Sequence, residues 1–187
     1  TNDPDLAGKM ALLRSHGITR DAALMTHEPD GPWYYQQVDL GFNYRMTDLQ
    51  AALGISQMDR LDDYVSRRHQ LARRYDELLV DLLVEPLWQY PDAYSGLHLY
   101  VIRLPSDTSV ERRRRVFEGL RARGIGVNVH YIPVHTQPYY ARLGFNWGDF
   151  PEAEHFYHHA ITLPLYPGMT QADQNAVVEA LRQVLSL

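Results

Sequence analysis

Between residues 98 and 131 the hydrophobic period changes twice, and no other stretch limits the fold so much. Residues 98–104 have the aromatic and β-branched content of a strand, residues 109–123 read as a helix closed by Gly124, and residues 127–131 return to strand. A strand at 84–87 precedes this run. After it, a short helix over 151–159 leads to a strand at Ile161-Thr162-Leu163. Thr170-Gln171-Ala172-Asp173 then has the form of a capping box, opening a last helix with Val177, Leu181 and Val184 on its inner face. The alternation implies an α/β chain whose second part is a small α+β domain, with an antiparallel or mixed sheet covered on one side by helices. If the strands near 101 and 129 are parallel, the helix between them is a right-handed crossover.

The first sixty residues read differently. Asn2 or Asp3 caps a helix with Pro4 in its first turn, and Gly17 is placed to end it. Leu6, Met10 and Leu13 share one face of that helix, and Lys9 lies on its solvated flank. Residues 26–37 combine Pro29, Asp30, Gly31 and Pro32 with the cluster Trp33-Tyr34-Tyr35, which predicts a surface excursion. Helical spacing returns over 48–58 and again over 61–80, where Leu61, Val65, Leu71, Leu78 and Leu79 recur between arginines.

Composition narrows the function. At 45% hydrophobic and 22% charged residues, the 187-residue chain has the make-up of a globular protein. A net charge of -5 and a pI near 5.9 argue against a nucleic-acid partner. Arg112-Arg113-Arg114-Arg115 is the densest basic run, yet four consecutive helical positions point around most of the circumference and form no stripe. Cysteine is absent, which excludes disulfides, thiolate nucleophiles and cysteine metal sites, and no long apolar span or secretory leader is visible. The expectation is a cytoplasmic protein with neither membrane nor nucleic acid as partner.

Chemistry concentrates in Gly41-Phe42-Asn43-Tyr44-Arg45-Met46-Thr47-Asp48, where an amide, a phenol and a guanidinium stand just ahead of a helix start. Thr47 or Asp48 can cap that helix, whose positive end favours a phosphate, while Asn43 and Arg45 add donors. A turn asparagine bonded to its own backbone is the plainer alternative. A second cluster, His130-Tyr131-Ile132-Pro133-Val134-His135-Thr136-Gln137-Pro138-Tyr139-Tyr140, is a proline-stiffened, aromatic loop that can hold polar side chains rigidly. Packed histidines with satisfied nitrogens are the alternative there. His155 and His159 are four apart, but the glutamate precedes the first histidine and no third ligand is evident, so no metal is expected. Gly-x-Ser-x-Gly is absent, and a serine triad has no support.

Thr1-Asn2-Asp3, Leu13-Arg14-Ser15-His16-Gly17-Ile18, the stretch from Leu40 to Gly54, Arg60-Leu61-Asp62, the stretch from Gly124 to His135, and Phe150-Pro151-Glu152-Ala153-Glu154 together resemble the DegT/StrS-type sugar-nucleotide aminotransferases. Residues 128–140 and 161–164 are most similar to the branch that aminates a UDP-linked 4-keto-6-deoxy sugar on the way to pseudaminic acid. The resemblance implies a fold-type I, aspartate aminotransferase-like transferase that uses pyridoxal 5'-phosphate. It implies transfer of an amino group from glutamate to C4 of the sugar, and a homodimer whose active site is shared between subunits. Asn43 is then expected on the cofactor phosphate of the neighbouring subunit. Tyr44 and Arg45 are expected at the cofactor edge or the nucleotide phosphates, and His16, His130, Tyr131 and His135 beside the substrate.

The same resemblance divides the chain into the end of a large domain (1–60), a connecting helix holding the domain boundary (61–80), and a small α+β domain (81–187). The family's Schiff-base lysine belongs to a segment ahead of Thr1. Lys9, the one lysine present, stands on the solvated flank of its helix and is not expected to be catalytic. The chain is therefore expected to be a carboxy-terminal portion, inactive alone, with no catalytic residue of its own. Two rivals stay open: a sugar dehydratase of the same fold and cofactor, with histidine in place of the lysine, and a non-catalytic small-ligand or interaction domain.

Overall fold

A computed structural model describes residues 1–186, which fall into two compact units, Thr1–Asp59 and a second beginning at Arg60. The break lies ahead of the helix expected over 61–80 rather than inside it. The reason is packing: the inward face of that helix, Leu71, Ala72 and Tyr75, with Leu79 just beyond it, belongs to the core of the second unit.

In the first unit, α1 (Pro4–Leu13) is capped by Asp3, whose carboxylate accepts from the N–H groups of Asp5 and Leu6 at 2.9 and 3.1 Å. It stops where Gly17, at φ 69°, donates its N–H back to the Leu12 carbonyl. β1 (Ile18–Thr19) pairs antiparallel with β2 (Gln36–Gln37). Residues 26–37 thus end in a strand, and the buried Gln36 amide ties the loop together by accepting from the Thr26 N–H at 2.8 Å and donating to the His27 carbonyl at 3.0 Å. α2 (Asp48–Met58) opens on a complete capping box in which Thr47, not Asp48, is the cap and Gln50 returns the bond.

The second unit is built on a three-stranded antiparallel sheet in the order β3 (Glu85–Pro86), β4 (Tyr100–Arg103), β5 (Ala160–Leu163). Its helices are α3 (Leu61–Leu78), α4 (Val110–Ala122), the single-turn α5 (Pro138–Ala141), α6 (Pro151–His159) and α7 (Gln171–Leu185). Tyr100, Ile102, Ile161 and Leu163 face one core with Leu71 and Tyr75 of α3, Val116 and Leu120 of α4, and Val177, Leu181 and Val184 of α7. Polar clasps fix α3 to the segment leading into α7. The fully buried Gln174 donates to the Leu71 carbonyl at 2.9 Å, the Tyr75 hydroxyl donates to the Pro164 carbonyl at 3.1 Å, and Arg67 donates to the Met169 carbonyl at 2.9 Å.

Two sequence expectations change here. All four residues of β5 are buried, so the sheet is covered on both faces at that strand instead of one. Residues 127–131 form no strand; pairing is reduced to one antiparallel bridge between Asn128 and Thr162. Asn128 exchanges both backbone bonds with Thr162, and the Val129 N–H, directed away from β5 in this register, bonds the Asn128 side-chain oxygen at 2.8 Å. β4 and the Asn128 bridge each run antiparallel to β5, so they run parallel to each other, the direction the crossover rule requires.

Candidate functional site

The polar stretch of the first unit is laid as an extended segment along the end of α1. His16 donates its N–H to the Phe42 carbonyl, Tyr44 donates its N–H to the Arg14 carbonyl, both at 2.9 Å, and Asn43 bridges Ser15. Asn43, Tyr44 and Arg45 all point their side chains out of the fold as exposed groups. The Tyr44 ring stacks on Phe42, with centroids 4.9 Å apart. Arg45 joins no ion pair among the described residues. It shares a small cleft of about 360 Å³ with His16, Ser15, Arg20 and Tyr35. His16 holds a left-handed backbone, φ 64°, a conformation that costs about 1–3 kcal/mol and marks a position fixed by its surroundings. Two guanidiniums and an imidazole around one cleft favour an anion.

The second unit carries a larger cleft of about 950 Å³. Its floor includes Val101, which lies opposite Thr162 on the sheet face turned away from the helical core. Arg73 and Asp76 of α3 form one wall, Trp88 and Tyr90 another, and His130 and Tyr131 a third. Asp76 accepts a 2.6 Å hydrogen bond from the Tyr100 hydroxyl, and burial together with that bond pushes the Tyr100 pKa well above its ordinary value. Tyr100 is therefore a fixed neutral donor. His130 and Tyr131 meet edge to face at 4.5 Å, and His130 Nδ1 lies 2.8 Å from the Thr162 hydroxyl.

His135 sits elsewhere. Its ring is buried, and Nε2 lies 2.7 Å from the buried carboxylate of Glu154, which also accepts the Gly148 N–H at 2.7 Å. Burial works against the Glu154 charge, but the Gly148 N–H, the His135 ring and the Phe150 N–H together hold its pKa below the ordinary glutamate value. This geometry gives His135 the packed role that the sequence left as an alternative. His155, His158 and His159 come near one another on α6, yet the described residues contain no group of three metal-ligating side chains suited to an ion. No helix among them is long and apolar enough to cross a membrane.

Arg73 and Asp76, which line the larger cleft, belong to no motif of the sequence, and the sequence does not mark Thr162, behind the His130 ring, as a site residue. Arg73 and Asp76 are three apart on α3 and share a face, a spacing visible in the sequence. Thr162 lies in the 161–164 stretch of the resemblance and is the one hydroxyl in an otherwise apolar strand.

An anion-favouring donor cluster ahead of a capped helix, followed by an α+β unit on a three-stranded antiparallel sheet, is the architecture of part of a fold-type I transferase. Residues 1–182 match the model of the DegT/DnrJ/EryC1/StrS aminotransferase family, and the chain belongs to that family. It is 37% identical over 189 residues to the spore coat polysaccharide biosynthesis protein SpsC of Bacillus subtilis, covering 99% of this chain and 48% of SpsC. Among solved structures it is similar to Spr1654 of Streptococcus pneumoniae in its PMP-form, with a TM-score of 0.87 and 30% identity over 100% of this chain and 46% of that one. Helicobacter pylori PseC, an aminotransferase involved in the biosynthesis of pseudoaminic acid, gives a TM-score of 0.86 and 28% identity over 100% of this chain and 47% of PseC. The chain spans about half the length of the relatives it matches, 48% in the case of SpsC.

Proposed function

We propose that these residues belong to a pyridoxal 5'-phosphate-dependent sugar aminotransferase that moves an amino group from glutamate to C4 of a UDP-linked 4-keto-6-deoxy sugar, as in the branch leading to pseudaminic acid. The observation that carries the reading is the exposed run Asn43-Tyr44-Arg45, pinned by backbone bonds to Arg14, Ser15 and His16 and delivered to the capped end of α2. Its donor set fits a phosphate: one neutral amide, one guanidinium with bidentate geometry, and a helix N-terminus. PseC, named as an aminotransferase, and Spr1654, described in a PMP-form, support the same chemistry.

In this reading the Asn43 amide donates to a phosphate oxygen of the cofactor held by a second copy, and Arg45 grips an oxyanion of cofactor or nucleotide. Tyr44 lines the cofactor edge, while His16, His130 and Tyr131 contact the substrate. The cofactor, when bound, supplies the electron sink that nitrogen transfer needs. The lysine that carries it lies outside residues 1–187, since Lys9 is exposed on α1. The enzyme works as a cytoplasmic homodimer.

The test uses these residues within a chain of the relatives' length, supplied with pyridoxal 5'-phosphate, glutamate and a UDP-linked 4-keto-6-deoxy sugar. Mass spectrometry is expected to find the 4-amino sugar and 2-oxoglutarate in equal amounts. A deoxygenated sugar without added nitrogen would assign the dehydratase reaction instead, and no turnover with bound cofactor would overturn the reading.

A further inference from the structure

We propose that Thr162 is a positioning residue that fixes the His130 ring, so that its Nε2 edge contacts the oxygen-rich part of a sugar nucleotide in the cleft of the second unit. The proposal rests on the functional reading above and adds a residue to it. Thr162 is the one polar side chain of β5, is 5% exposed, and lies on the sheet face that carries Val101 rather than on the helical core. For folding alone, valine would fill that position with nearly the same shape and no hydroxyl to desolvate. The hydroxyl instead lies 2.8 Å from His130 Nδ1.

The backbone prepares the contact. The Asn128–Thr162 bridge brings the start of the loop against β5, and His130, two residues on, lies diagonally across from Thr162. The other ring nitrogen has no comparable hold: Asn128 Nδ2 approaches Nε2 only to 3.5 Å, beyond ordinary hydrogen-bond length. Thr162 therefore sets the orientation of the ring, and Nε2 is left for a ligand. A hydroxyl both donates and accepts, so it holds Nδ1 whichever way the imidazole is protonated. His130 can then accept a hydroxyl proton from a sugar or donate to a phosphate oxygen without turning.

Three variants, Thr162→Val, Thr162→Ser and His130→Ala, test this, with UDP as the probe and ¹⁵N-histidine-labelled protein for nuclear magnetic resonance. Thr162→Val is expected to shift the His130 ring-nitrogen signals and to weaken UDP binding about tenfold, one hydrogen bond's net worth. Thr162→Ser is expected to restore both. Adding Thr162→Val to His130→Ala is expected to cost nothing further in affinity, because the two then act through one contact. Unchanged His130 signals in Thr162→Val, or a loss of affinity that serine does not restore, overturns the proposal. If the unaltered protein does not bind UDP, the substrate reading fails, and the ring-nitrogen signals still decide whether Thr162 holds His130.

Discussion

Gly41 stands against Gly17 with no room for a side chain on either. A Cβ at 41 would collide with the Gly17 nitrogen and lie 2.6 Å from the Leu13 carbonyl oxygen, and one at 17 would collide with the Asp39 carbonyl. This contact lets the polar run lie along the end of α1, with Phe42 and Tyr44 bonded to His16 and Arg14 one residue further on. Gly17 also needs its positive φ of 69°, which side chains disfavour.

Gly41→Ala is therefore expected to push residues 41–45 away from α1. A misplacement of about 1 Å at a binding group can cost about 100-fold in rate, and a loss of that order in kcat/KM is expected here. Gly54→Ala is the control. Gly54 lies inside α2 with open space around a new Cβ, so alanine there is expected to stabilise the helix by up to about 1 kcal/mol. Steady-state kinetics and thermal melts on both variants check this.

Gln174 is expected to be the most sensitive polar position of the second unit. It is fully buried, donates to the Leu71 carbonyl, and accepts from Arg74 at 3.3 Å. Gln174→Leu removes the amide and leaves the Leu71 carbonyl without its side-chain donor, at a cost of about 2 kcal/mol. For a chain of this size that corresponds to a fall in Tm of roughly 6 °C, read by calorimetry.

Arg45→Lys is expected to behave as a damaging change. A lysine keeps the charge but not the planar pair of donors that grips two phosphate oxygens at once. Retention of pyridoxal 5'-phosphate through gel filtration, and the KM for the UDP-sugar, are the measurements. A lysine variant equal to the parent in both would remove Arg45 from the proposed phosphate contact.

How much of the fold is legible in the sequence depends on how local each signal is. Caps and periodicity act within a few residues, so Ser109, Thr47, Thr170 and the inner face of α7 can be read directly from the order of side chains. On α3 the pattern finds Leu71 but includes the exposed Leu61 and passes over the buried Tyr75. The strand expected over 127–131 is reduced to the single Asn128–Thr162 bridge, because where pairing stops depends on a partner strand more than thirty residues away, which hydrophobic pattern does not register. The site divides in the same way. Asn43, Tyr44 and Arg45 are neighbours along the chain and can be named together, whereas the Thr162–His130 contact joins residues 32 apart. His135 has the look of a ligand group because nothing local reveals that Glu154, 19 residues on, closes over it.

Acid is expected to weaken the second unit in two steps. His158 has its pKa lowered below 6.5, first by burial and then by the Arg113 charge, so the folded state prefers the neutral ring. That preference is intact above the unfolded value near 6.5 and is lost as pH falls below it, because protons then bind the unfolded chain first. Glu154 has the lowered carboxylate, so its contribution is present above about 4.5 and disappears as pH drops through the folded value. Asp173, lowered by the Thr170 N–H and hydroxyl, acts in the same direction in the acid limb. Melting temperatures measured from about pH 8 to about pH 3 are thus expected to fall gently near neutrality and more steeply in acid. His158→Asn is expected to remove the first fall and Glu154→Gln to shallow the second. A Glu154→Gln variant that keeps the full acid limb would move the responsibility to Asp173, and Thr170→Val would then be the variant that shallows it.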